Sequence, residues 1–225
     1  MSLVWTTATL AATNAPAPTQ ADRYATQAAQ LQQRGQDFEQ IFTALCQTVL
    51  SNADQNTALR IDDQVRAMFG GLWHWTRAGG RPKLQDQHDK ALHFIGGGAF
   101  EGYLDAGRAA AVTKERLDSR QYDNFFDLDD MAATIMGARW VDVAVGGDAA
   151  HTRRWLELWA TGRYTLSKSL PKLHWGHLAV GSKDEATPEQ IQAVDKEIEN
   201  LITCPPAPPT TPPAAPPRPI APATR

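Results

Sequence analysis

Basic blocks, long apolar runs and cysteine clusters are all missing from this chain. It carries 22 Lys and Arg against 25 Asp and Glu, with no block of either sign. A nucleic-acid surface needs a basic stripe to neutralise phosphates, so no nucleic-acid partner is expected. The most apolar stretch, residues 91–112, is interrupted by Glu101, Asp105 and Arg108. That falls short of the roughly 20 unbroken apolar residues of a membrane span. Only two cysteines occur, Cys46 and Cys204. Neither stands in a C-x-x-C or a Cys/His zinc spacing, which excludes a disulfide framework and a zinc-finger reading. No G-x-S-x-G, H-E-x-x-H or P-loop is present, so the familiar hydrolase and nucleotide signatures are absent too. Gly96-Gly97-Gly98 follows a helical segment rather than a strand, and is read as a place for close helix packing.

What is present is helical periodicity. The length and a hydrophobic content of 42% are enough to bury a core without disulfides or a structural metal. Residues 20–34 are Ala- and Gln-rich, with Gly35 as a stop. Phe38, Ile41, Phe42, Leu45 and Val49 make one stripe, and Ile61, Val65, Met68, Leu72 and Trp75 another. Three further helices are expected over about 86–103, 109–120 and 128–145, the last capped by Asp127. Another spans 149–160, closed by Gly162. Thr187-Pro188-Glu189-Gln190 is a compact helix start, followed by the stripe Ile191, Val194, Ile198 and Leu201. His74, between Trp73 and Trp75, is read as part of the aromatic core.

The expected fold is therefore all-α: an irregular bundle of seven or eight helices forming one domain over residues 20–203. A disordered leader, 1–19, precedes it. The apolar run of that leader has no Lys or Arg ahead of it, unlike the start of a secretory signal. The compartment is left open between the cytoplasm and export without an evident signal peptide. Residues 204–225 are almost half proline, which permits neither helix nor ladder and gives an extended, polyproline-like tail. Such a tail is a solvated spacer or a ligand for a protein partner.

The functional question sits between Asp89 and Arg139. Asp89 with His93, Glu115 with Asp118, and Asp127 with Asp130 are spaced three or four apart, so each pair shares a helix face. Pairs of this kind on facing helices bring oxygen and imidazole ligands together in the core of a bundle. Asp89, His93, Glu115, Asp118, Asp127 and Asp130 are the candidate ligands of a divalent metal such as Mg, Mn or Zn, with one position left for water. His93, Glu115 and Asp130 are the candidate catalytic groups, His93 serving as a general base if no metal is held. A plainer account explains the same residues as a helix cap, first-turn acids and ion pairs that fix register. His174-x-x-His177 is a weaker ligand pair, in a segment whose Pro171 and Gly176 disfavour a helix.

D-K-x-x-H-F at Asp89–Phe94, K-E-x-x-D at Lys114–Asp118, and D-x-x-D-x-x-A at Asp127–Ala133 with Gly137 following form an ordered set. This set resembles the pattern of VanZ-like proteins and of small YfiM-type envelope lipoproteins, over about a quarter of the chain. The resemblance implies a helical bacterial protein of the cell envelope, with the six polar residues above as the matching positions. Those families are mostly membrane-associated, whereas Glu101, Asp105 and Arg108 stand here where a membrane relative is apolar. A soluble branch of the motif is the expectation. A looser likeness, D-x-x-x-H followed by D-L-x-(D/N), links the same residues to helical domains attached to secreted bacterial toxins. Two functions follow: a metal-assisted hydrolase acting at the envelope, or a non-catalytic scaffold whose polar cluster is structural and whose tail binds a partner. The sequence does not decide whether the protein is an enzyme.

Overall fold

The computed structural model describes residues 16–55, 59–84, 86–121, 127–166 and 187–203. These are helical and contain no strand, only an isolated bridge between Leu84 and Gln87. The helices are α1 (Gln20–Gln33), α2 (Phe38–Asp54), α3 (Ile61–Arg77), α4 (His88–Leu104), α5 (Gly107–Gln121), α6 (Leu128–Gly146), α7 (Ala149–Ala160) and α8 (Pro188–Thr203). The all-α expectation holds. The leader up to residue 15, the proline-rich tail, Cys204 and the His174/His177 pair lie outside the described residues.

Local chemistry fixes most of the helix starts. Thr19 and Asp22 form a capping box at α1, and Asp37 and Gln40 form another at α2, each satisfying two backbone donors reciprocally. Asp127 accepts from the backbone of Asp129 and Asp130 at the start of α6, and Asp148 accepts from His151 at α7. Thr187 and Gln190 exchange hydrogen bonds at α8. Gly35 follows α1 at φ +79°, a left-handed position that glycine takes without steric cost. The α4–α5 corner differs from the sequence expectation. Asp105, at φ 53°, ends α4, and α5 begins at once with Gly107, whose N–H donates to Glu101 Oε2 at 2.8 Å.

α6 is the central helix. Its residues 131–138 are all buried, as are Trp140, Val141 and Ala144. Apolar residues around the whole circumference are what a helix needs when neighbours enclose it. α3, α4, α5, α7 and α8 all pack against it, and its longest seam is with α4. Phe42 anchors the core, with ring centroids 5.9 Å from Phe69, 6.1 Å from Phe94 and 4.4 Å from Trp159. Full burial of side chains of this size contributes about 1.5–3 kcal/mol each. Among the described residues, no helix is long and apolar enough to cross a membrane.

The α4–α6 seam is closed by glycine. A β-carbon on Gly97 would fall on the carbonyl oxygen of Thr134, and one on Gly137 on that of Phe94. The two helices therefore touch backbone to backbone. Gly98 leaves room for the Phe69 ring, and Gly71 lets α3 meet Tyr24 and the Ala21 carbonyl of α1. The glycine run at 96–98 thus serves close packing, as its position after a helical segment suggested.

Candidate functional site

The same seam assembles a polar cluster. His93, one turn into α4, is 7% exposed. Its Nδ1 lies 2.9 Å from the Thr134 hydroxyl, and that hydroxyl lies 3.0 Å from the Asp130 carbonyl in the preceding turn of α6. A threonine hydroxyl has one proton. With that proton on the Asp130 carbonyl, the hydroxyl accepts from Nδ1–H, and Nε2 is the ring nitrogen that carries the lone pair.

Nε2 faces two carboxylates. Asp130 Oδ2 is 3.2 Å away and Asp89 Oδ1 is 3.9 Å away. A neutral imidazole lone pair pointed at carboxylates is unfavourable unless a proton or a cation stands between them. The ligand atoms of Asp89, His93 and Asp130 all lie within 4.8 Å of one another. Tetrahedral bonds of zinc length put neighbouring ligand atoms about 3.3 Å apart. The His93–Asp130 spacing already matches, while Asp89 Oδ1, 3.9 Å from Nε2, stands farther out and would have to move inward. Its side chain is 73% exposed and can make that movement.

Glu115, the other buried acid here, takes a different place. It is only 2% exposed and comes from α5. Its Oε1 lies 4.0 Å from His93 Nδ1, on the Thr134 side of the ring, and 3.0 Å from Lys114 Nζ. Its Oε2 accepts from the Asp127 N–H at 3.4 Å. Burial raises its pKa above the ordinary value of 4.5, partly opposed by Lys114 and His93. Asp127 caps α6. Asp118 belongs to α5, but its side chain lies outside the described set. The structure thus brings together Asp89, His93 and Asp130, places Glu115 behind the ring, and gives Asp127 a capping role. Asp129 forms an ion pair with Lys90 at 3.5 Å, and burial raises its pKa as well.

A cleft of about 600 Å³ opens beside the cluster, and its lining includes Asp89, His93 and Thr134. Trp73, Leu92 and Phe100 supply apolar wall, and Arg77 and Lys114 supply positive charge. Sequence reasoning missed Thr134, although Asp130-x-x-x-Thr134 on α6 mirrors Asp89-x-x-x-His93 on α4. It also missed Trp73, Arg77 and Phe100, which come to the site from α3 and from the far end of α4.

His74 corrects another reading. It is exposed, and its Nδ1 lies 3.4 Å from Asp22 Oδ1. Successive residues on a helix are about 100° apart, so aromatic neighbours on both sides do not bury the residue between them. Cys46 is buried, and burial pushes its thiol well above the ordinary cysteine range.

Neither a family model, a curated protein nor a solved structure matches the chain.

Proposed function

We propose that Asp89, His93 and Asp130 hold a divalent cation and that the protein is a metal-assisted hydrolase. One observation carries this reading: His93 is fixed at Nδ1 by Thr134 while its Nε2 faces two carboxylates beside an open cleft. Imidazole with carboxylate suits zinc or manganese better than magnesium, which favours oxygen ligands alone. Three protein ligands and an open position are the pattern of catalytic rather than structural zinc. A cation there would acidify a bound water and so supply a nucleophile at neutral pH. Thr134 fixes the ring and its tautomer, as hydrogen-bonded partners of ligating histidines do. Glu115 stands behind the ring, its Oε1 4.0 Å from Nδ1, as a positioning residue. The envelope setting rests on the resemblance of the three motifs to VanZ-like and YfiM-type proteins, and belongs to the proposal on that footing.

A thermal melt after EDTA treatment, with Zn, Mn, Mg or Ca added back, tests the reading. A ligand that binds only the folded chain adds about 2.7 kcal/mol at a hundredfold excess over its Kd. A rise with zinc or manganese, absent in His93→Ala, is the expected result. No rise with any cation overturns the metal site and leaves His93–Asp130 as a structural ion pair. The non-catalytic alternative would then stand on the proline-rich residues 205–225 as a ligand for a protein partner. Deleting them would abolish partner capture while the helical body stays folded.

A further inference from the structure

The cleft beside His93 is built for more than a water molecule. Its volume of about 600 Å³ is within the range of small-molecule sites. The rings of Trp73 and Phe100 stand 6.1 Å apart at 59° and form an aromatic wall across α3 and α4. Phe100 is 41% exposed, and Tyr103 and Leu104, three and four residues on, are more exposed still. Residues at that spacing share a helix face, so apolar surface runs from the cleft along the end of α4. Large apolar side chains left in water at a polar-rimmed cleft mark a surface that something covers.

Charge narrows what that is. Arg77 lies one turn after Trp73 on α3 and lines the same cleft, exposed to solvent and with no acidic partner among the described residues. A guanidinium fork matches the paired oxygens of a phosphate or a carboxylate. Lys114 adds a second positive centre, shared with Glu115. Among the described residues, the one acid lining the cleft is Asp89, which the proposed cation would neutralise.

We infer that the cleft takes a small amphiphile: an apolar body against Trp73, Leu92 and Phe100, and one oxyanion drawn by Arg77 and Lys114. This deepens the hydrolytic reading by naming its substrate class, an ester that carries both an apolar chain and an anionic phosphate or free carboxylate group, and rests on that reading only for the ligand being cleaved.

The test is calorimetric titration of the full chain with decyl phosphate and decanoate below their micellar concentrations. Decyltrimethylammonium, with the same tail and the opposite charge, and inorganic phosphate, with no tail, are the comparisons. Decyl phosphate or decanoate binds, and whichever binds more tightly identifies the oxyanion. The two comparisons bind at least about tenfold more weakly. Arg77→Ala and Phe100→Ala, both at exposed side chains that leave the fold intact, each weaken binding by about tenfold, as loss of one charged or aromatic contact does. Equal binding of the cationic amphiphile, or affinity unchanged in both variants, overturns the inference. Each titration is run with EDTA and again with zinc. Anion binding under EDTA in a chain that zinc never stabilises upholds the amphiphile site and removes the hydrolase. Stabilisation by zinc without any amphiphile binding does the reverse.

Discussion

Gly97 lies against the backbone of Thr134 so closely that no side chain fits between them, and Thr134 is the residue whose hydroxyl holds His93. The tightest helix contact and the candidate site are therefore one piece of structure. The α4–α6 distance sets both the packing of the core and the reach from His93 to Asp130.

Substitution of that glycine should show the coupling. Gly97→Ala gains about 1 kcal/mol of helix propensity, but its methyl meets a backbone carbonyl, which cannot rotate away. Overpacking of this kind costs about 1–3 kcal/mol or more, so urea denaturation should give a net loss of stability. Gly146→Ala is the control. Its added carbon has only Asp142 nearby, at 3.9 Å, and stability should be unchanged or slightly higher.

Thr134→Val separates ring orientation from bulk. Valine has almost the shape of threonine but leaves His93 Nδ1 without its partner. A buried donor left unsatisfied costs about 1–3 kcal/mol. Removing such an outer partner typically lowers metal affinity about 10- to 100-fold. Zinc titration of the variant should show that loss, whereas Asp22→Asn, at an acid paired only with the exposed His74 among imidazoles, should leave zinc affinity unchanged.

Glu115 makes a prediction about pH. Its pKa is raised in the folded chain, chiefly by burial, so the native state keeps a proton that the unfolded state has already released. Its contribution is fully present below the unfolded value, about 4.5, and is lost as the pH rises through the folded value. The slope is at most about 1.4 kcal/mol per pH unit for one proton. Glu115→Gln cannot titrate. Under EDTA, the stability of the wild-type chain relative to this variant should fall as the pH rises from 4.5, measured by urea denaturation at successive pH values.

Cys46 should be silent towards thiol reagents. Its side chain is buried and its thiolate is disfavoured. In a Cys204→Ser background, labelling should proceed at the rate at which the core opens, and should rise with urea in step with global unfolding. Rapid labelling of the native chain would show that α2 separates from the core independently.

The helices were legible because their signals are local. Phe38, Ile41 and Leu45 repeat within one helix, and Asp127 or Thr187 caps the residues that follow it. The Asp89–His93 pair was legible for the same reason. Thr134 was not, because the partner of a histidine on another helix depends on how the helices cross, and no spacing within either one records that. Glu115 stood out as an acid, yet its place behind the ring follows from the packing of α5, not from its distance to Asp118. The cleft was invisible to sequence reading, since Trp73 and Phe100 stand 27 positions apart in the chain. His74 shows the opposite hazard, a local pattern taken for burial when its side chain faces out.

One feature of the site has a kinetic meaning. Of the three groups in the cluster, the His93 ring and Asp130 are held within the protein, while the Asp89 side chain is 73% exposed. A cation arriving from solution would meet this exposed carboxylate first and shed its water while passing to the buried pair. Departure would run in reverse, beginning with Asp89 swinging away. Residence time would then be governed by an arm on the surface, while the choice of metal would belong to the two groups behind it.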